Sequence, residues 1–395
     1  MAPRSSLKSF LATAKAVLAT PAAKRPRPLT FVVGNESADL DSLCSAVVLA
    51  YIRSNIPSQS LHIPLSNLPR PDLALRTELS PVLSKAGIDD SDLLTLTDLP
   101  DLNPEDTQWV LVDHNALTGA LKKYQSQVIG CVDHHVDEGA IPNSADPRVI
   151  EPCGSCMSLV VDQYQDAWRQ QTRFNASKSL DAPDAALAKV ALGPILIDTI
   201  NLASKEKVRP KDLSSAALLD DIIADPSFQH KAYFDEITAV KEDISKLSFR
   251  DIFRKDYKEW EDGGILLGIC CAVQNLDYLL EKAGTVDVIV RELQAWASER
   301  KLDMVSIMTT AHPNDEFQRD LLVWGTTDTG REATRQFAKD STDKLQLETW
   351  REGKLDKEEC RFAWRQLDLA SSRKQVAPLL REAMNKVGGT GRGNL

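Results

Sequence analysis

Between Leu29 and Thr199 the chain repeats one pattern, a run of apolar, largely β-branched residues followed by a stretch with helical spacing of apolar positions. The runs are LTFVVG, QWVLVDHN, QVIGCVDHH, PRVIEPCGS and GPILIDTI. Unbroken runs of this kind read as strands covered on both sides, which predicts an α/β domain with a mostly parallel sheet and helices on both faces. One helix is predicted to start near Ser42 and another to cover ALTGALKKY. Residues 205–245 are polar and helical in pattern, with Pro210 and Pro226 as interruptions. Beyond them ILLGICCAV, DMVSIMTTA and RDLLVWGTT predict strands of a second, mixed sheet in a smaller C-terminal α/β domain. Helices are expected between them over VDVIVRELQAWASERK and REATRQFAKDSTDKL.

A chain of 395 residues is too long for one ordinary core, so two domains are the default. The expected boundaries are an N-terminal helix and Pro-rich connector over 1–28, a main domain over 29–204, linker or hinge helices over 205–235, and a second domain over 236–395. In the first segment Leu7, Phe10, Leu11, Ala14, Val17 and Leu18 share one helical face, and no acid occurs before Glu36. A basic amphipathic start of this kind fits a helix docked on the domain or a mitochondrial targeting segment, and the docked helix is the reading adopted.

The formal charge of -10 argues against general nucleic-acid binding, which relies on an excess of Lys and Arg. Gly263 to Val273 is an apolar run far short of the roughly 20 residues that span a bilayer, so no membrane partner is expected. Seven scattered cysteines without a secretory signal suggest reduced thiols, and a cytoplasmic location is expected, with the mitochondrial matrix as the alternative. Cys153 and Cys156 form a C-x-x-C without a second pair to complete a metal site.

Four of the apolar runs lead to acids: Asp39 and Asp41, Asp113 with His114, Asp133 with His134 and His135, and Asp198. Ligands of an open parallel sheet bind beyond the carboxyl ends of its strands, so four strands would deliver these carboxylates to one pocket. Taken singly, each acid has an ordinary reading as a helix cap or turn former, and His114 as a residue satisfying a core hydrogen bond. Taken together they place carboxylates with three of the six histidines, a donor set suited to divalent ions such as Mg, Mn, Co or Zn. Two such ions roughly 3.5 to 4 Å apart can activate water and clamp both oxygens of a phosphoryl transfer.

The motifs GNESADLDS, VDHN, VDHH and LIDT, with EPCGSCMSLV, LSFRDIFRKDYKEW, DLLVW and Ser372-Arg373-Lys374, resemble the DHH phosphoesterase superfamily. The similarity runs from Leu29 to about Lys386 and lies within the subfamily of manganese-dependent inorganic pyrophosphatases, prune-type proteins and fungal exopolyphosphatases, nearest the last of these. It implies a DHH catalytic domain and a C-terminal associated domain that binds substrate, two divalent cations (Mg, Mn or Co), and a monomer acting on inorganic polyphosphate. By resemblance the metal ligands are Asp39, Asp41, Asp113, His134 and Asp198, with Asn35 where pyrophosphatases carry a metal-binding histidine. An amide oxygen there would weaken the first site and favour harder ions. Asp133 would orient the His134 imidazole, and His135 would face the phosphate as donor or acid; Asp113, Asp133 and His135 form the implied catalytic set. Ser372, Arg373, Lys374 and Lys258 would bind substrate.

The implied reaction is hydrolysis of terminal phosphoanhydride bonds with release of orthophosphate. A prune-like short-chain polyphosphatase or nucleotide phosphodiesterase, an inorganic pyrophosphatase and a non-catalytic scaffold are the alternatives. Neutralising Asp133 is expected to collapse the rate with little loss of stability, since a crowd of acids should relax when one member loses its charge.

Overall fold

A computed structural model describes residues 6–56, 60–174, 183–313 and 316–390. The chain forms two compact units, Met1–Lys241 and Glu242–Leu395.

In the first unit the strands are β1 (Leu29–Val33), β2 (His62–Leu65), β3 (Thr107–Val112), β4 (Val128–Asp133) and β5 (Arg148–Ile150). Their order is β2-β1-β3-β4-β5 and every pair is parallel. The helices are α1 (Leu7–Ala19), α2 (Leu40–Ser54), α3 (Arg70–Leu73), α4 (Leu79–Ser84), α5 (Cys156–Gln163), α6 (Gln165–Phe174), α7 (Pro183–Asp198), α8 (Pro210–Ile223) and α9 (His230–Glu242). The apolar runs are continuous because both sheet faces are covered. Val32, Val110, Val112 and Val132 pack with residues of α2, α5, α7 and α8 in one core. Phe31, Val33, Trp109, Leu111 and Cys131 alternate with them and pack into the other, with Ala14 and Leu18 of α1. Phe31, Trp109 and Tyr124 stack in series, with centroids 4.7 Å apart at each step. The predicted face of α1 is thus docked, with Phe10 edge-on to Tyr51.

Three expectations need correction. Residues of GPILID form the C-terminal half of α7, which contains Pro194, and not a strand. The stretch over ALTGALKKY is a 3-10 helix, Gly119–Gln127, entered through Gly119 at φ +52°. The 205–235 helices, expected as a linker or hinge, are part of the first unit: α8 buries Ala216, Leu219, Ile222 and Ile223 in the first core, where Tyr233 and Ile237 of α9 join them. Their polar composition belongs to their outer faces, and the division between units falls later, after Lys241.

The second unit has α10 (Phe249–Lys255), β6 (Tyr257–Asp262), β7 (Ile265–Ala272), α11 (Leu276–Ala283), α12 (Val286–Arg300), β8 (Met304–Thr309), β9 (Arg319–Gly325), α13 (Asp328–Leu345), β10 (Leu347–Thr349), β11 (Arg361–Gln366) and α14 (Arg373–Thr390). Its sheet order is β10-β11-β9-β8-β7-β6; only β7 and β8 pair in parallel, so the sheet is mixed. Helices α10, α11 and α12 cover one face, and α13 and α14 the other. No helix among the described residues is long and apolar enough to cross a membrane.

Candidate metal centre

The order of the first sheet reverses between β1 and β3: β1 is followed in sequence by the strand on one side of it, and β3 lies on the other. A crevice at the carboxyl ends is expected there. Asn35 follows β1 and Asp113 follows β3, and the two side chains touch, with Asn35 Nδ2 donating to Asp113 Oδ2 over 2.8 Å. Gly34 makes the turn possible, because a Cβ there would lie 2.7 Å from Cβ of Ser42 on the first turn of α2. Asp113 adopts φ +61°, a left-handed conformation that Asp accepts more readily than most residues. Its buried carboxylate also accepts from Ser42 Oγ at 2.6 Å and lies 3.1 Å from His134 Nε2.

Asp39 is both a helix cap and a member of the cluster. Its Oδ1 accepts from the Ser42 backbone at 3.0 Å, capping α2. Although this side chain is open to solvent on one side, lost solvation and the charges of Asp113 and Asp41 push its pKa up to about 7. Asp41, buried within the first turn of α2, accepts from the backbone N–H groups of Cys156 at 2.6 Å and Met157 at 3.0 Å. The start of α5 thus holds an anion, and Ser45 Oγ donates to Oδ1 as well, at 3.1 Å. Asp198 arrives at the end of α7, and burial, Asp41 and Asp39 raise its pKa well above the carboxylate range; Asp41 is raised by burial and Asp113.

Such mutual elevation is the mark of negative groups crowded together without enough positive charge. Burial works against protonation of His134, yet its hydrogen bond to Asp113 and the charges of Asp41, Asp113 and Asp198 raise its pKa to about 10. Ligand atoms of Asp113, His134 and His135 lie within 4.8 Å of one another. Hard carboxylate oxygens with imidazole nitrogen fit a divalent cation, and a cation would relieve the crowding.

Two implied roles change. Asp133 does not orient His134: its Oδ1 receives the His135 ring Nδ1 at 2.8 Å and backbone N–H at 3.2 Å, while Asn115 Nδ2 donates to Oδ2 at 2.5 Å. The residue that turns His134 is Cys153, whose carbonyl lies 3.0 Å from Nδ1. Asn35 offers no oxygen to a cation, because Oδ1 accepts from the backbones of Ser37 at 2.8 Å and Ala38 at 3.3 Å. Those two donors fix which end of the amide is oxygen. His114 turns its Nδ1 to the Val112 carbonyl at 2.9 Å, as in the ordinary reading.

Sequence reasoning missed Asn115, which ties Asp133 to the loop by accepting from Glu138 N and donating to Val136 O. Its signal was present, as the last letter of VDHN. It also missed Arg76, which donates to Ser37 O and lowers the pKa of Asp39 by its charge. No local pattern marks that residue.

In the second unit Ser372, Arg373, Lys374 and Lys258 line one cavity of about 470 Å³, joined by Arg319 and Arg381. Ser372 caps the start of α14: its N and Oγ donate to Gln375 Oε1 at 3.0 and 2.9 Å, and its Oγ accepts from Lys374 N at 3.3 Å. Arg373 Nη1 lies 2.8 Å from Asp256 Oδ1.

Comparison with known proteins follows the same division. The model of the DHH family, N-terminal domain, matches residues 30–194, and that of the DHHA2 domain matches residues 235–383. A Schizosaccharomyces pombe protein named "Putative exopolyphosphatase" is 34% identical over 391 residues, covering 97% of each chain. The human "Exopolyphosphatase PRUNE1" is 28% identical over 73% of this chain and 61% of its own. A solved structure described as a "putative family II inorganic pyrophosphatase" from Methanococcus jannaschii shares the fold, with TM-score 0.56 and 21% identity over 90% of this chain and 100% of that one. With the Asp113–His134–His135 cluster at the switch point of its sheet and a relative matched from end to end, this chain belongs to the DHH family.

Proposed function

We propose that the bond cleaved by this hydrolase is the terminal phosphoanhydride of inorganic polyphosphate, with orthophosphate released one unit at a time. Asp39, Asp41, Asp113, His134 and Asp198 would hold two divalent cations (Mg, Mn or Co). The observation that carries the reading is the convergence of Asp113, His134 and His135 beside further acids whose pKa values rise together. When bound, the cations would supply Lewis-acid polarisation of phosphoryl oxygens and a lowered pKa for water.

The side chains supply the rest. His134 keeps Nδ1 turned to the Cys153 carbonyl, leaving Nε2 as the face toward Asp113. Asp133 holds His135 by Nδ1, so its Nε2, when protonated, is free to donate to a departing phosphate oxygen. Arg373 and Lys374, at the start of α14, with Lys258, would hold phosphate oxygens by charge-assisted hydrogen bonds. The printed name of the fission-yeast relative supports polyphosphate as the substrate class.

The test is orthophosphate release from long polyphosphate, tripolyphosphate, pyrophosphate and a cyclic nucleotide, each with Mg and with Mn. Turnover greatest on long polyphosphate is expected. Turnover confined to pyrophosphate or the nucleotide overturns the substrate, and none on any of them at saturating metal overturns the hydrolytic reading.

A further inference from the structure

The turn from Cys153 to Ser158 touches two members of the candidate metal centre and the chain neighbour of a third. Its Cys153 carbonyl holds His134, and its Cys156 and Met157 N–H groups hold Asp41. At Gly154 the backbone runs so close to Thr199, the neighbour of Asp198, that a Cβ would lie 2.7 Å from Thr199 Cγ2. What holds this turn comes from elsewhere in the chain.

Asp212, on the first turn of α8, is fully buried and points its carboxylate into the turn. Oδ2 accepts from the backbones of Gly154 at 2.9 Å and Arg209 at 2.7 Å. Oδ1 accepts from Ser158 Oγ at 2.6 Å and Ser155 N at 3.3 Å, with Cys153 Sγ at 3.2 Å. A Cβ on Gly154 would lie 2.6 Å from Oδ2, so this approach requires glycine. Lys211, next to it, adds an ion pair to Asp162 of α5 at 2.8 Å and one to Glu151.

From this geometry we infer that Asp212 is a positioning residue for the metal centre: its carboxylate sets the 153–158 turn, which in turn aims His134 and Asp41. The inference rests on the metal-site reading of those two residues. All five contacts are donors, so an amide at this position would bring an NH2 group against an N–H or O–H that needs an acceptor. The turn would shift, and with it the Cys153 carbonyl and the two N–H groups on Asp41. Groups that orient metal ligands in this way carry roughly 10- to 100-fold in metal affinity.

The experiment uses the full chain, stripped with EDTA and titrated with Mn2+ alone by calorimetry, alongside nitrogen NMR of the histidine rings and thermal melts. The variants are Asp212→Asn, Ser158→Ala, which removes one donor and keeps the carboxylate, and Leu219→Ala, which opens the core under the same helix. Asp212→Asn is expected to weaken Mn2+ binding about 10- to 100-fold and to move the His134 ring signals. Ser158→Ala should do both to a smaller degree and decides the matter if Asp212→Asn does not fold. Leu219→Ala should lower the melting temperature while leaving Mn2+ affinity and His134 signals as in the parent. Unmoved His134 signals with unchanged affinity in the Asp212 and Ser158 variants overturn the inference, as does an equal loss in Leu219→Ala. If the parent itself takes up no Mn2+, the metal-site reading fails; the His134 signals then decide alone, displaced ones supporting the aiming role and unmoved ones ending it.

Discussion

His134 reaches Asp113 through Nε2, at 3.1 Å, while its other ring nitrogen is held by the Cys153 carbonyl. An imidazole fixed at one nitrogen and facing a buried carboxylate with the other has the arrangement that the proposed ligand role requires. His134→Gln keeps a polar group of similar length but removes the imidazole nitrogen. It should lower Mn2+ affinity at least about tenfold and phosphate release by more, with the fold retained by circular dichroism. Unchanged Mn2+ affinity would remove His134 from the ligand set.

The raised pKa of Asp39, about 7 against 3.8 for the free group, has a definite sign in stability. Between those values the folded chain holds a proton that the unfolded chain has lost, so stability declines as pH rises from about 4 to about 7. Asp41 and Asp198, also raised, act in the same direction. Solvent on one side of Asp39 softens its share. Thermal melts of EDTA-treated protein should therefore show falling stability across this window, and added Mn2+ should stabilise more at pH 8 than at pH 5. Calorimetry in buffers of different ionisation enthalpy should register protons released on binding. A metal-induced shift that shrinks as pH rises would contradict the crowded-acid picture.

Asp133 behaves unlike its neighbours. Its pKa is lowered: burial acts upward, but hydrogen bonds and charge from His135 and the Asn115 amide outweigh it. A carboxylate already satisfied by three donors gains nothing from neutralisation, so the expectation that Asp133→Asn leaves stability intact is replaced by its opposite. The new amide would confront the Asn115 NH2 or the His135 N–H groups at a fully buried site. A loss of about 1–3 kcal/mol is expected in urea unfolding, together with lost activity. Activity lost at full stability would show that the carboxylate is not integrated in this way.

The acids of β3 and β4 were legible because a strand buried on both faces must be apolar until it emerges, and the first polar residues after it mark the emergence. Asp113 and Asp133 stand at that point. The helix that carries Asp198 was misread as a strand for a related reason: its C-terminal half is largely buried, with Val190, Ala191, Leu192, Ile195 and Leu196 inaccessible to solvent. Such a helix shows no polar stripe, and Pro194 looks like the edge of a strand. Strands β6, β10 and β11 escaped notice because charged residues interrupt KEWED, LET and RFAWRQ. Asp212 could not be found by any local rule, since its partners at 153–158 lie more than fifty residues earlier in the chain.

The basic cavity yields a prediction about length of substrate. Arg319 enters it half-buried, anchored by Nε to the Leu369 carbonyl at 2.9 Å and stacked over Phe317 at 4.8 Å. Held by these contacts, its guanidinium has little freedom left to lose when it meets an anion. Arg373 sits across the same cavity against Asp256 and Cys271. One charge-assisted hydrogen-bonded contact contributes about 1.5–3 kcal/mol, which corresponds to roughly 10- to 150-fold in binding. Arg373→Ala should therefore raise KM for every polyphosphate substrate by about that factor. Arg319→Ala should raise KM for long polyphosphate and leave pyrophosphate nearly unaffected, because a two-phosphate ion has fewer groups than the cavity has cations. Equal effects of Arg319→Ala on both substrates would place Arg319 against the phosphates common to both, and no effect on either would assign it to structure alone.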